Sequence, residues 1–237
     1  MSKQDLNNIK HLKNQTHWPL TQARIKTISP QVDGQIPPQV VRQETKVQAI
    51  KKDGASRPQV EDFIKNIFRK HHGAELTHFA PSLLAIFNQE NDVEAALGYR
   101  LAKEEPLFLE HYLDQSIESL VSNYIGKNIE RSSIGETGNL ASSDAKSCKA
   151  LFAYTADYLH QQGIEWFVST GTGVMRVVYR RLGIKAHIIH DVEKSRLGKE
   201  QHSWGSFYED KPKIILINVA QARQRFRELK TQTNSSH

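Results

Sequence analysis

Residues able to do chemistry concentrate between positions 134 and 180. The run Ile134-Gly135-Glu136-Thr137-Gly138-Asn139-Leu140-Ala141 has strand composition, but two glycines interrupt it. Glycine inside a strand weakens pairing and marks a bulge or a close backbone approach. Ser142-Ser143-Asp144 follow, all helix-capping side chains. A helix N-terminus binds anions through its free N–H groups and the positive end of its dipole. A bulged strand leading into such a terminus makes a cleft for an extended ligand with a phosphate head. The same residues also describe an ordinary capped helix after an irregular strand. Gly171-Thr172-Gly173 is a second turn able to hold a phosphate, or simply the start of another helix.

Other reactive types are arranged less productively. Cys148 is the only cysteine, which excludes an internal disulfide and any zinc site with two thiolates. It falls on the apolar face of a helical pattern and reads as an inert packed thiol. His187 and His190 stand at i and i+3 on one strand, so they face opposite sides. His71-His72 end a helix, where they suit the dipole. With no HExxH and no paired cysteines, no metal site is expected. There is no GxSxG, which argues against a serine hydrolase.

The elements that must position these residues follow from periodicity. Val60, Phe63, Ile64, Ile67 and Phe68 form one helical stripe, stopped by Gly73. Strands at 82–87 and 93–101 flank a turn-rich run and read as a hairpin. A short helix is expected around Ile117, Leu120, Val121 and Tyr124, then a strand over 129–141 and a long helix over 143–162 ending at Gly163. Strand 164–170, helix 174–182, strand 184–190, a polar loop, strand 213–219 and helix 220–230 complete the order. Strand and helix alternate from 129 to 190, which predicts a mostly parallel portion behind an antiparallel hairpin. The fold class is α/β (α+β) with a mixed sheet.

Charge is distributed unevenly. The 237 residues carry a formal +6, and all of that excess lies in residues 1–58, which hold 10 Lys/Arg against 4 Asp/Glu. That segment also holds five of the eight prolines and a single aromatic, Trp18. Such a composition cannot repay its ordering entropy, so a basic, largely disordered tail is expected over 1–58, a folded domain over 59–232 and a flexible end over 233–237. The tail is a candidate for weak contact with an anionic membrane. No aromatics are interleaved with its basic residues, so no specific nucleic-acid binding is expected. No run approaches the ~18 apolar residues of a membrane-spanning helix, and the N-terminus shows no apolar signal core. A cytoplasmic location is expected.

Several motifs resemble a known family. Residues 174–184 (VMRVVYRRLGI) are similar to the helix-to-strand signature of the GNAT N-acyltransferases. Leu107-Phe108-Leu109-Glu110-His111-Tyr112-Leu113-Asp114, the ETGNLA run from Glu136, and Trp204-Gly205-Ser206-Phe207-Tyr208 with Pro212 together resemble the thermostable hemolysin family. The resemblance covers about residues 60 to 220 and implies a GNAT-like single domain, a fold also used by acyl-homoserine-lactone synthases.

That resemblance implies an acyltransferase that moves an acyl group from a thioester to an amine or similar acceptor. The thioester arm would enter between the two strands at 129–141 and 164–170. Catalysis would fall to Glu136 as base for the amine and Tyr179 as acid for the leaving thiolate. The donor would lie along Asn139, Leu140, Ala141, Ser142, Ser143, Thr170 and Thr172. Glu110, Tyr112, Trp204 and Tyr208 would face the acceptor. No tightly bound cofactor is implied; acyl-CoA or an acyl-carrier protein serves as cosubstrate. At 142–147 the sequence lacks the glycines of the superfamily's pyrophosphate loop and carries Asp144, which disfavours a nucleotide diphosphate. The family name also implies a second reading, a membrane-damaging hemolysin, and an inactive binding module on the same fold is the third.

Overall fold

In the computed structural model, which describes residues 46–234, seven strands form one mixed sheet. They are β1 (Lys46–Ile50), β2 (Ser82–Phe87), β3 (Val93–Leu101), β4 (Ile134–Ser142), β5 (Trp166–Gly171), β6 (Ala186–Asp191) and β7 (Lys213–Asn218). Their spatial order is β1-β2-β3-β4-β5-β7-β6. The expectations for residues 1–45 lie outside the described residues, as do those for 235–237. Residues 46–58, expected as tail, hold β1, a turn and the start of a helix. β1 pairs antiparallel with β2 from Lys46↔Phe87 to Ile50↔Leu83. Residues 233 and 234, expected in the flexible end, close the last helix.

Helices cover both faces. Helix α1 (Arg57–His72) carries a proline in its first turn, four basic residues in its last, and Gly73 at φ 60° as a left-handed cap. Its Val60, Ile64 and Phe68 pack on Leu83, Ala85 and Phe87. A 3-10 turn (Phe108–Tyr112) and α2 (Ile117–Ile125) continue on that face, over Ile134, Trp166, Val168 and Leu216. The opposite face holds α3 (Ala145–Gln161), α4 (Gly173–Leu182) and α5 (Val219–Asn234), whose Leu151, Phe152, Tyr179 and Phe226 pack with Leu97, Phe167 and Ile215. No helix among the described residues is long and apolar enough to cross a membrane.

The parallel portion is smaller than the alternation of strand and helix implies. Only β4 and β5 are parallel; β7 inserts between β5 and β6, antiparallel to both. The reason lies in the sequences. Ile214-Ile215-Leu216-Ile217 is apolar on both sides and fully buried, so it needs neighbours all round. β6 mixes His187, His190 and Asp191 with isoleucines and is half-exposed, which suits an edge. The expected polar loop after β6 is two 3-10 segments, Lys194–Trp204 and Phe207–Asp210, anchored by buried Leu197 and Tyr208.

Candidate functional site

β4 changes partners halfway along. Gly98 pairs with Gly138 and Ala96 with Ala141, so β4 has one residue more than β3 between these rungs. That bulge holds Asn139 at φ 48°, a left-handed conformation asparagine tolerates. The Asn139 side-chain oxygen accepts from the Ala80 N–H at 3.0 Å. The approach requires glycine at position 98, where a Cβ would lie 2.6 Å from the Ala80 Cβ. Past the bulge β4 follows β3 alone. Its pairing with β5 covers only Ile134↔Trp166 to Thr137↔Ser169. β5 continues with β7 through Gly171↔Lys213. The sheet therefore opens between β4 and β5 just after Thr137 and Ser169.

The two ionisable side chains beside the last rungs belong to opposite faces. Glu136 alternates with Ile134 toward the α1–α2 face. Its oxygens accept from the N–H groups of Phe108 (2.7 Å) and Leu109 (3.0 Å), at the start of the 3-10 turn. Arg100 Nε lies 3.3 Å away. Burial pushes the Glu136 carboxyl up to about 7, against the pull of Arg100 and the two N–H groups. Tyr179 of α4 packs on Phe152 in the other layer and is 3% exposed. Burial holds its phenol well above the usual range, and a hydrogen bond with the Ser169 side chain opposes this. A group touching both side chains has to pass through the sheet at the β4–β5 opening. On the Tyr179 side a cavity of about 10 Å³ lies between Leu97, Thr137, Phe152 and Phe167, about enough for one water.

The other expected donor residues are held as follows. Leu140 packs on the α3 layer, and Ala141 is buried under α1. The Ser142 hydroxyl donates to the Asp144 carbonyl and the Ser143 hydroxyl to the Glu94 carbonyl. Asp144 caps α3, accepting from the N–H groups of Lys146 (2.7 Å) and Ser147 (2.9 Å). This anion-seeking end is thus filled by the chain's own carboxylate. Thr170 Oγ1 is buried with no partner among the described residues. Thr172, also buried, begins α4 without a side-chain cap.

On the Glu136 face the expected acceptor residues are committed to internal contacts. Arg131 grips both oxygens of Glu110 at 2.7 and 2.8 Å, and the same carboxylate accepts from the N–H groups of Leu107 and Ile117. Glu110 thereby pins the 3-10 turn to α2. Tyr112 and Tyr208 share a buried hydroxyl contact of 2.5 Å. Trp204 packs against Phe68, Phe108, Phe207 and Tyr208. These aromatics form a wall over the turn that Glu136 holds. Sequence reasoning missed Arg100, Ser169 and Arg131. Arg100 stands near the end of the expected strand 93–101, but its pairing with Glu136 depends on a register set by the bulge. The Cys148 thiol is buried, and burial pushes it up to about 12, as befits an inert side chain.

The sequence matches the family described as Thermostable hemolysin over residues 50–223. No curated protein matches. Among solved structures, the apo form of TofI superposes with TM-score 0.54 at 13% identity, covering 77% of this chain and 96% of that one. LasI, an AHL synthase, gives 0.54 at 11% identity, covering 78% and 95%. FeeM, an N-acyl amino acid synthase from uncultured soil microbes, gives 0.52 at 12% identity, covering 76% and 98%. The fold is GNAT-like, with acyl-homoserine lactone synthases among its structural neighbours.

Proposed function

The chain belongs to the thermostable hemolysin family, and from that premise we propose that it is an acyltransferase whose thioester donor threads the β4–β5 opening and acylates an amine. The observation that carries this reading is the opening itself, with Glu136 and Tyr179 beside its last rungs on opposite faces. The names of LasI and FeeM, an AHL synthase and an N-acyl amino acid synthase, favour the same class of reaction.

An ammonium acceptor must lose a proton before it attacks a thioester. Glu136, raised to about 7 by burial, is a better-matched base than an ordinary carboxylate. The amine then attacks the thioester carbon. As the C–S bond breaks, the Tyr179 hydroxyl proton passes to sulfur, and the second proton of the attacking nitrogen restores the phenol. The balance is one amide and one thiol formed, with one proton left on Glu136 for solvent. Thr170 and Thr172 line the donor path beside the backbone of Asn139 and Leu140. Because Asp144 occupies the α3 terminus, an acyl-carrier protein, whose arm carries a single phosphate, suits this site better than acyl-CoA.

One observation favours a binding module without turnover: both oxygens of Glu136 already hold the 3-10 turn, under an aromatic wall. Incubation of the full chain with acyl-carrier-protein and acyl-CoA pools and mixed amines, read by thiol release and mass spectrometry, separates the two. Turnover that falls roughly 10²-fold or more in both Glu136→Gln and Tyr179→Phe supports the transferase. No thiol release above a protein-free control from either donor pool refutes it.

A further inference from the structure

Between Glu165 and Asp191 the sequence has no acidic residue, yet it carries Arg176, Arg180, Arg181 and Lys185. Several buried or half-buried arginines elsewhere are paired: Arg57 with Glu61, Arg131 with Glu110 and Glu118, Arg223 with Asp157. These four make no ion pair among the described residues. Three of them, Arg176, Arg180 and Lys185, line one groove of about 740 Å³ between α4, the edge of β6 and the start of α5, on an apolar floor of Ile184, Ala186 and Ile215. Arg176 Nη1 is buried without a hydrogen-bond partner. Arg225, packed on nearby Gly183, is already neutralised by Glu228 and bonded to the Leu182 carbonyl.

We propose that this groove is a binding site for a phosphate group, separate from the β4–β5 opening and from the α3 terminus. A buried guanidinium N–H without a partner is costly, and the groove holds no carboxylate to satisfy it. A planar carboxylate presents two oxygens and saturates one guanidinium. Three cations around a concavity call for a compact tetrahedral anion, whose oxygens reach Arg176 while also meeting Arg180 and Lys185. Ile188, which also lines the groove, is 49% exposed, so the ligand's phosphate is carried on a partly apolar body. A soluble phosphate ester and the headgroup of an anionic lipid both answer to that chemistry.

The full-length chain is tested in two arms: inorganic phosphate, followed by titration calorimetry, and phosphatidylcholine vesicles with and without phosphatidylglycerol, followed by flotation. Arg176→Gln removes the buried donor. The double variant Arg180→Glu/Lys185→Glu changes only exposed side chains, so it serves if Arg176→Gln fails to fold. The groove variants are expected to lose at least ~10-fold in affinity, and wild-type binding should weaken with salt. A loss seen with vesicles, alone or in both arms, assigns the lipid headgroup. A loss confined to inorganic phosphate assigns a soluble ester. Wild-type affinity in the variants in both arms, or no binding by the wild-type chain in either, overturns the proposal. Thiol release is unaffected by these substitutions, which keeps the outcome independent of the acyl-transfer reading.

Discussion

Replacing Glu136 with glutamine tests the electrostatics at the centre of the site. Burial raises this carboxyl from 4.5 to about 7 in the folded chain. Because the folded value lies above the unfolded one, the associated stability is fully present below pH ~4.5 and is lost as pH rises through about 7. A tenfold change in proton affinity is worth about 1.4 kcal/mol, so the wild type loses about 3 kcal/mol across that window from this group. Glu136→Gln resembles the protonated form: it accepts one N–H of the Phe108–Leu109 pair and opposes the other with its own amide. The variant lacks the titration. The opposite slopes from Glu110, Glu118 and Asp144, all held below the usual carboxylate range, occur in both proteins and cancel in the difference. Urea unfolding of both chains from pH 5 to 8 should therefore show the wild type losing about 2.5 kcal/mol relative to the variant, the rest of the effect lying below pH 5. A flat difference, or one in which the wild type gains with pH, would mean that Arg100 and the two N–H groups outweigh burial. It would remove the case for a base poised near neutrality.

Other outcomes follow from named contacts. Tyr179→Phe should cut turnover roughly 10²-fold while leaving the thermal midpoint and donor affinity close to wild type; full activity would take the phenol out of the proton path. Asp144→Ala removes the α3 cap and should cost about 1 kcal/mol in denaturant unfolding, yet tighten acyl-CoA binding by uncovering the helix terminus. Unchanged affinity would show that Asp144 does not govern the choice of donor. Gly205→Ala places a Cβ 2.0 Å from the His72 carbonyl oxygen, a backbone atom that cannot yield easily. It should loosen the segment bearing Trp204, seen as a red-shifted tryptophan emission, whereas a wild-type spectrum would mean that the 3-10 segments tolerate a shift there.

The parts of this fold written in local periodicity were legible from the residues alone. The hairpin at 82–101, the stripe of α1 and the long α3 each depend on apolar spacing within a few turns. Glycines 135 and 138 announced the interruption in β4, and the capping residues announced Asp144. What stayed hidden depends on partners distant in sequence. β1 is five residues long with one buried side chain, Ile50, and only its pairing with β2 makes it a strand. The place of β7 between β5 and β6 follows from competition for burial among three strands. The bond from Arg131 to Glu110 was hidden too, because the two lie 21 residues apart. Arg100 meets Glu136 through a register shifted by one residue at the bulge.

The interleaved order β5-β7-β6 has a consequence for how the chain assembles during synthesis. Among the described residues, β6 pairs with no strand but β7, and β5 touches the N-terminal half of the sheet through only the rungs from Ile134 to Thr137. As the chain emerges from the ribosome, the apolar residues of β6 wait unpaired until 213–218 follow. The C-terminal half thus closes in one late step, in which the last strand is threaded between two that precede it. A truncation before Lys213 does more than shorten the protein: it leaves β5 and β6 with facing rows of unpaired amides, a nascent species that a holdase chaperone would have to shield.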